Sequence, residues 1–143
     1  MPPIAVVSDA SVALKWFHEQ GEEDFGPART LLDAYADRAI GLSVLDLTAY
    51  EIGNALIRGR GLDPEPVGLV LEALSEICPA LHPTVHEQRH AAMLAARSGL
   101  TYYDAAYVAV ARARDAQLAT HDKELLGLGF GRRPTEILAL LGR

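Results

Sequence analysis

A chain of 143 residues, half of them apolar and 22% charged, is long enough for one domain, spanning 1–143, with a proper hydrophobic core. Thirteen basic against nineteen acidic residues give a net charge of −6, which excludes a nucleic-acid binder that works by charge alone. A binder that works through metal ions stays open, because clustered carboxylates inflate the acidic count, and neutralising four of them would bring −6 to −2.

In chain order, residues 4–7 (IAVV) are wholly apolar, as in a short strand buried on both faces of a parallel sheet. The stretch MPPIAVVSDAS, with no basic start and an apolar run of only four residues, does not read as a signal peptide. Asp9 follows the strand at its carboxyl end, where open α/β sheets bind ligands. Ser11 opens a helical stretch, VALKWF, and capping by Asp9 or Ser11 is the plain alternative. Trp16 and Phe17 are adjacent large aromatics that either cover the sheet edge or receive a partner helix. The loop HEQGEEDFG is acidic, and Pro27 starts a second helix running to Ala36.

Residues 39–44 read as a second strand, and Asp46 as the N-cap of a helix, LTAYEIGNALIRGR, stopped by Gly59 and Gly61. Glu51 borders the apolar stripe of that helix, with Leu47 and Ala55 one turn to either side, and Asn54 shares its side. A solvated surface glutamate is the alternative. Residues 64–77 carry apolar side chains at Val67, Val70, Leu71, Leu74 and Ile77, an amphipathic helix. The single cysteine, Cys78, excludes an internal disulfide, and a reducing cytoplasm is the expected compartment. Residues 81–85 read as a third strand made irregular by Pro83, and 87–97 as an alanine-rich helix ended by Gly99.

Residues 103–114 are apolar almost all round, the pattern of a buried helix, yet Asp104 sits in the first turn. Such a helix descends roughly 16 Å. A strand over 117–120 returns about 13 Å, which brings Asp104 near Asp122 at one sheet edge. Taken singly, each aspartate also reads as a helix cap. The tail GLGFGRRP is glycine-rich and basic, and Thr135 caps a last helix, EILALL. Nothing approaches the length of a membrane span. Short apolar strands alternating with helices indicate an α/β domain with a mostly parallel sheet.

Two metal readings compete. His86-Glu87-x-x-His90 matches the zinc-peptidase signature H-E-x-x-H, but it lies in the first turns of an alanine-rich helix, without a further ligand at suitable spacing. Two surface histidines are the simpler account. The carboxylates agree better with one another: Asp9, Glu51, Asp104 and Asp122 all follow strands or start helices, and in a parallel sheet those loops open on one edge. Four acids together repel unless cations neutralise them, and oxygen-only ligands suit Mg²⁺ or Mn²⁺. Metal-assisted hydrolysis of a phosphodiester is the reaction class implied. Ser11 and Thr120 would hold the carboxylates in place.

The pieces VVSDASVALKWF, Glu51 with Asn54 in ExxNAL, GLTYYDAAYVAVA and LATHDKELL, in this order, resemble the PIN-domain ribonucleases, and among them the VapC toxins of type II toxin–antitoxin pairs. The resemblance spans residues 4–126. It implies a sheet of order 3-2-1-4-5 between helices, and an acidic metal site at Asp9, Glu51, Asp104 and Asp122, with Asp9 and Asp104 the firmest ligands. It further implies a prokaryotic, cytoplasmic homodimer that cleaves RNA with Mg²⁺ or Mn²⁺, and an antitoxin that covers the groove, for which Trp16 and Phe17 are candidate contacts. Two departures stand out: Leu45-Asp46 replaces the family's usual proline before the Glu51 helix, and its final strand is poorly recognisable in GFGRRPTEILALLGR. An aspartate after the first strand also resembles haloacid-dehalogenase-like enzymes, but Ser11 stands where their second aspartate would be. A non-catalytic module, with the acids serving only as caps, is the remaining alternative.

Overall fold

A computed structural model describes residues 2–17 and 25–143, so most of the acidic loop HEQGEEDFG lies outside the described residues. Strand β1 (Ile4–Ser8) is the centre of a parallel sheet. It pairs on one side with β2 (Ile40–Leu45), from Ile4 opposite Ile40 to Val7 opposite Ser43. On its other side lies β4 (Gln117–Ala119), with Val6 opposite Gln117 and Ser8 opposite Ala119. The short β3 (Ala80–Leu81) extends the sheet beyond β2, giving the order β3-β2-β1-β4. Because every strand is parallel, all the carboxyl ends open on one edge.

Alternate strand residues feed two cores. Val6, Ile40, Leu42 and Val44 pack with α1 (Ala10–Ala13), α2 (Phe25–Ala36), α3 (Asp46–Asn54), α4 (Pro64–Ile77) and α8 (Pro134–Leu140). Val7, Leu45 and Leu118 pack with α5 (Val85–Ser98), α6 (Tyr102–Ala113) and α7 (Lys123–Gly127). The result is the α/β/α arrangement with a central parallel sheet that the apolar strand runs imply. Helix α6 is buried from Ala105 through Ala111, which explains its nearly unbroken apolar sequence.

Several boundaries differ from the sequence expectation, each for a local reason. The carboxylate of Asp46 is not an N-cap: Leu45 precedes the helix, and its N–H donates to Thr48 Oγ1 at 3.1 Å. Helix α5 begins two residues early because Thr84 and Glu87 form a capping box, each side chain accepting from the other's backbone N–H. Its end is as expected, at Gly99 with φ 72°. Helix α8 starts at Pro134, whose fixed φ suits a first helical position, so Thr135 does not cap it.

The fifth strand of the expected order is reduced to one bridge, Ala119 opposite Arg132. Arg132 N–H donates to the Leu118 carbonyl at 2.8 Å, and Thr120 N–H to the Arg132 carbonyl at 3.0 Å. Gly131 lets the segment come this close, since a Cβ there would stand 2.5 Å from Thr120 Cγ2. Pro134 then commits the chain to helix.

Trp16 corrects another expectation. It is 4% exposed, in the three-residue 3₁₀ turn Leu14–Trp16, and its Nε1–H donates to the Ala28 carbonyl at 2.9 Å. It is a core residue that ties the turn to α2, not a surface for a partner. Phe17 is half-buried against the same core.

Candidate active site

At the carboxyl edge of the sheet, Asp9, Glu51, Asp104 and Asp122 line a single open cavity of about 130 Å³, together with Ala10, Ser11 and Tyr107. Each acid arrives on a different element: after β1, in α3, in the first turn of α6 and in the loop after β4.

Asp9 is the most enclosed, at 5% exposure, and both of its oxygens are engaged. Oδ1 accepts from Ser11 Oγ at 2.6 Å and from Val12 N–H at 3.2 Å, so Asp9 also caps α1. Oδ2 accepts from Thr120 Oγ1. Both hydroxyls are oriented from behind: His121 N–H donates to Ser11 Oγ at 2.9 Å, and Asp122 N–H to Thr120 Oγ1 at 2.9 Å. Their protons therefore point at Asp9. Burial pushes Asp9 up to about 6, against the hydrogen bonds from Ser11, Thr120 and Val12, and Glu51 adds to the rise.

Glu51 is held by a residue the sequence did not single out. Tyr107, 1% exposed, donates its hydroxyl to Glu51 Oε1 at 2.7 Å and lies 2.7 Å from Thr48 Oγ1. Because Thr48 accepts from Leu45 N–H, a one-way chain runs Leu45 N–H, Thr48, Tyr107, Glu51. The signal for Tyr107 lies in the helical spacing, three residues after Asp104 on one face. Burial and the charge of Asp104 raise Glu51, against the Tyr107 hydrogen bond. Burial and Asp122 likewise raise Asp104.

Asp104 does not cap its helix; Thr101 does, accepting from Asp104 N–H at 3.1 Å. Asp122 does cap α7, accepting from Leu125 N–H at 3.0 Å, while also lining the cavity. Asn54 is exposed and lies outside the cavity lining.

Among the described residues, no three His, Cys, Asp or Glu side chains are gathered closely enough to hold one cation as they stand. The acids surround the cavity, each tied to its own element, instead of closing on one point. The donor set nonetheless suits a hard divalent cation: four carboxylates and no soft ligand face the cavity, and three of them hold their protons abnormally well. A cation there would offset both the burial of these charges and their smaller mutual repulsion.

The H-E-x-x-H segment is built differently from a zinc site. Glu87 is buried and accepts from Arg114 Nε and Nη2, both at 3.1 Å, while His86 is exposed. The glutamate is thus committed to the capping box and to an ion pair joining α5 to the end of α6.

The PIN domain family matches the chain over residues 6–131, and the chain belongs to that family. Ribonuclease VapC3 of Pyrobaculum aerophilum is 40% identical over 99 residues, covering 63% of this chain and 76% of the relative. Exonuclease VapC9 of the same organism is 33% identical over 101 residues, covering 68% and 74%. Among solved structures, one of a Pyrobaculum aerophilum protein superposes with a TM-score of 0.71 at 24% identity, covering 97% of this chain and 96% of that one. The sarcin-ricin loop cleaving toxin VapC20 of Mycobacterium tuberculosis gives 0.67 at 19% identity, over 87% of this chain and 95% of that one. A toxin–antitoxin complex from Klebsiella pneumoniae gives 0.68 at 16%, over 90% and 97%. The structural likenesses speak for the fold. Among the described residues, no helix is long and apolar enough to cross a membrane.

Proposed function

We propose that this chain is a metal-dependent endoribonuclease, the toxin half of a type II toxin–antitoxin pair acting in a prokaryotic cytoplasm. One observation carries the reading: four carboxylates from four separate elements line one cavity at the carboxyl edge of a PIN-family sheet. The relatives named VapC support the toxin assignment, and the name of VapC3 supports ribonuclease chemistry.

Asp9 and Asp104 would be the principal ligands for Mg²⁺ or Mn²⁺, with Glu51 and Asp122 completing the acidic set. Such an ion lends the Lewis acidity that phosphodiester hydrolysis needs. The chain supplies the rest. Ser11 and Thr120 fix Asp9 in direction and favour its ionised form against the burial that raises it, since each donates to a carboxylate oxygen while accepting a backbone N–H. Tyr107 fixes one oxygen of Glu51 and leaves the other for the cavity. A homodimer and an inhibitory antitoxin are inferred from the family resemblance, and Trp16, being buried, offers its indole to neither.

Circular RNA, which has no ends, tests the reading. The purified protein should linearise it with Mg²⁺ and leave it intact with a chelator. Trimming of linear RNA with circular RNA left whole would replace the proposal with an exonuclease, the activity named for VapC9.

A further inference from the structure

A second hollow of about 180 Å³ lies beside the acidic cavity, bounded by Tyr102, Tyr103 and Ala106 of α6, by Asp46 and Leu47 of α3, and by His82. The first turns of α6 divide the two. Asp104 and Tyr107 face the acids, while Tyr103 and Ala106, each one position earlier, face the second hollow. Tyr102 is 46% exposed and Tyr103 59%, so two large aromatic surfaces are left to solvent at the lip of the site. The polar side chains at this lip are His82, Asp46 and Gln88, and the exposed His82 ring pairs with Asp46. His82 Nδ1 stands 2.6 Å from Asp46 Oδ2, and the other Asp46 oxygen accepts from Leu47 N–H at 2.8 Å.

We propose that this hollow is a nucleobase subsite. Resting on the ribonuclease reading above, it takes one unpaired base of single-stranded RNA adjoining the phosphodiester at the acids. The base stacks on Tyr102 or Tyr103, and its edge meets the imidazole of His82, held by Asp46. Three observations support this. The hollow is smaller than the roughly 300 Å³ at which small-molecule sites begin, and suits a single planar ring. A net charge of −6 provides little general attraction for phosphates, so contacts to bases add grip on the strand beyond what a cation at the acids supplies. Its wall is the same helical turn that carries Asp104, so a strand lying across the acids passes directly over it.

Steady-state cleavage of a single-stranded RNA oligonucleotide in Mg²⁺ tests the assignment. The proteins are the wild type, Tyr102→Ala/Tyr103→Ala and Tyr102→Phe/Tyr103→Phe, with thermal melting as the check on folding. The alanine pair should raise KM about tenfold or more and lower kcat far less, while the phenylalanine pair, which keeps the stacking faces, stays near wild type. An abasic nucleotide walked across the positions flanking the cut should raise the wild-type KM by a similar factor at one position. The alanine pair should lose nothing further there. Equal KM for the wild type and the alanine pair overturns the subsite, as does an equal abasic penalty in both. If the wild type cuts RNA and only this pattern fails, the subsite is lost and the nuclease reading stands. If the wild type cuts no RNA, both are lost.

Discussion

At the residue scale, the cap and the cavity readings of the aspartates turn out to be compatible. Asp9 accepts from Val12 N–H and still lines the cavity, and Asp122 does the same with Leu125 N–H. A helix start at the carboxyl edge of a sheet serves both purposes, which is why sequence alone could not choose between them. Ser11 and Thr120 were legible as partners for the acids because each lies within two positions of one. Tyr107 was hidden in an apolar helix, where an aromatic reads as core. Trp16 shows the reverse case: two adjacent aromatics left both a cover for the sheet edge and a docking surface open, and the indole N–H finds the Ala28 carbonyl inside the fold. Trp16→Ala should therefore destabilise the protein by about 3–5 kcal/mol in urea unfolding, as for a large core truncation. A loss below about 1 kcal/mol would return Trp16 to the surface.

At the element scale, the long helices and three of the four strands were legible within a residue or two. The 3.6-residue pattern located α4 closely, because its apolar positions face the core, and the nearly unbroken apolar run located α6, which is buried all round from Ala105 through Ala111. Strand β3 was the exception: read as 81–85, it spans only Ala80–Leu81, too short for a period to show, and the chain from Val85 is already helix. The missing fifth strand follows from Pro134, which turns the chain into α8 directly after one bridge at Arg132. That bridge depends on Gly131. Gly131→Ala would press a methyl against Thr120 and the Leu118 carbonyl, should cost about 1–3 kcal/mol, and should lower activity by turning the Thr120 hydroxyl away from Asp9. Chemical denaturation with a parallel cleavage assay checks both effects. On α5, His86→Ala with His90→Ala should leave RNA cleavage within about twofold of wild type, because the glutamate between them is held by Arg114 and Thr84. Stoichiometric zinc that disappears in the double variant would revive the peptidase alternative.

At the scale of the whole molecule, the acidic site links stability to pH. Burial raises Asp9 from 3.8 to about 6, so the folded state holds this proton more tightly than the unfolded chain does. The stability it contributes is complete below about pH 4 and is lost as pH rises through about 6. Glu51 and Asp104, also raised, act in the same sense, whereas Glu87 is lowered and acts oppositely at the acid end: its burial is outweighed by Arg114 and Thr84. Metal-free protein should thus lose roughly 2 kcal/mol between pH 4 and 7 from the acidic site. Millimolar Mg²⁺ should restore much of that loss at pH 7, and Asp9→Asn should flatten the profile. Melting temperatures across pH, with and without Mg²⁺, give the comparison, and a metal-free stability that rises steadily from pH 4 to 7 would contradict it.

The most direct test of the central claim, that the four carboxylates act together as a cation site for RNA hydrolysis, is cleavage of one RNA by wild type and Asp104→Asn over a Mg²⁺ titration. Asp104 is the best choice because its side chain carries no cap, so an asparagine leaves α6 and the Thr101 hydrogen bond intact. The variant should melt at or above the wild-type temperature without metal and lose about 100-fold or more in cleavage at every Mg²⁺ concentration. A folded Asp104→Asn protein that cleaves with wild-type Mg²⁺ dependence would contradict the account.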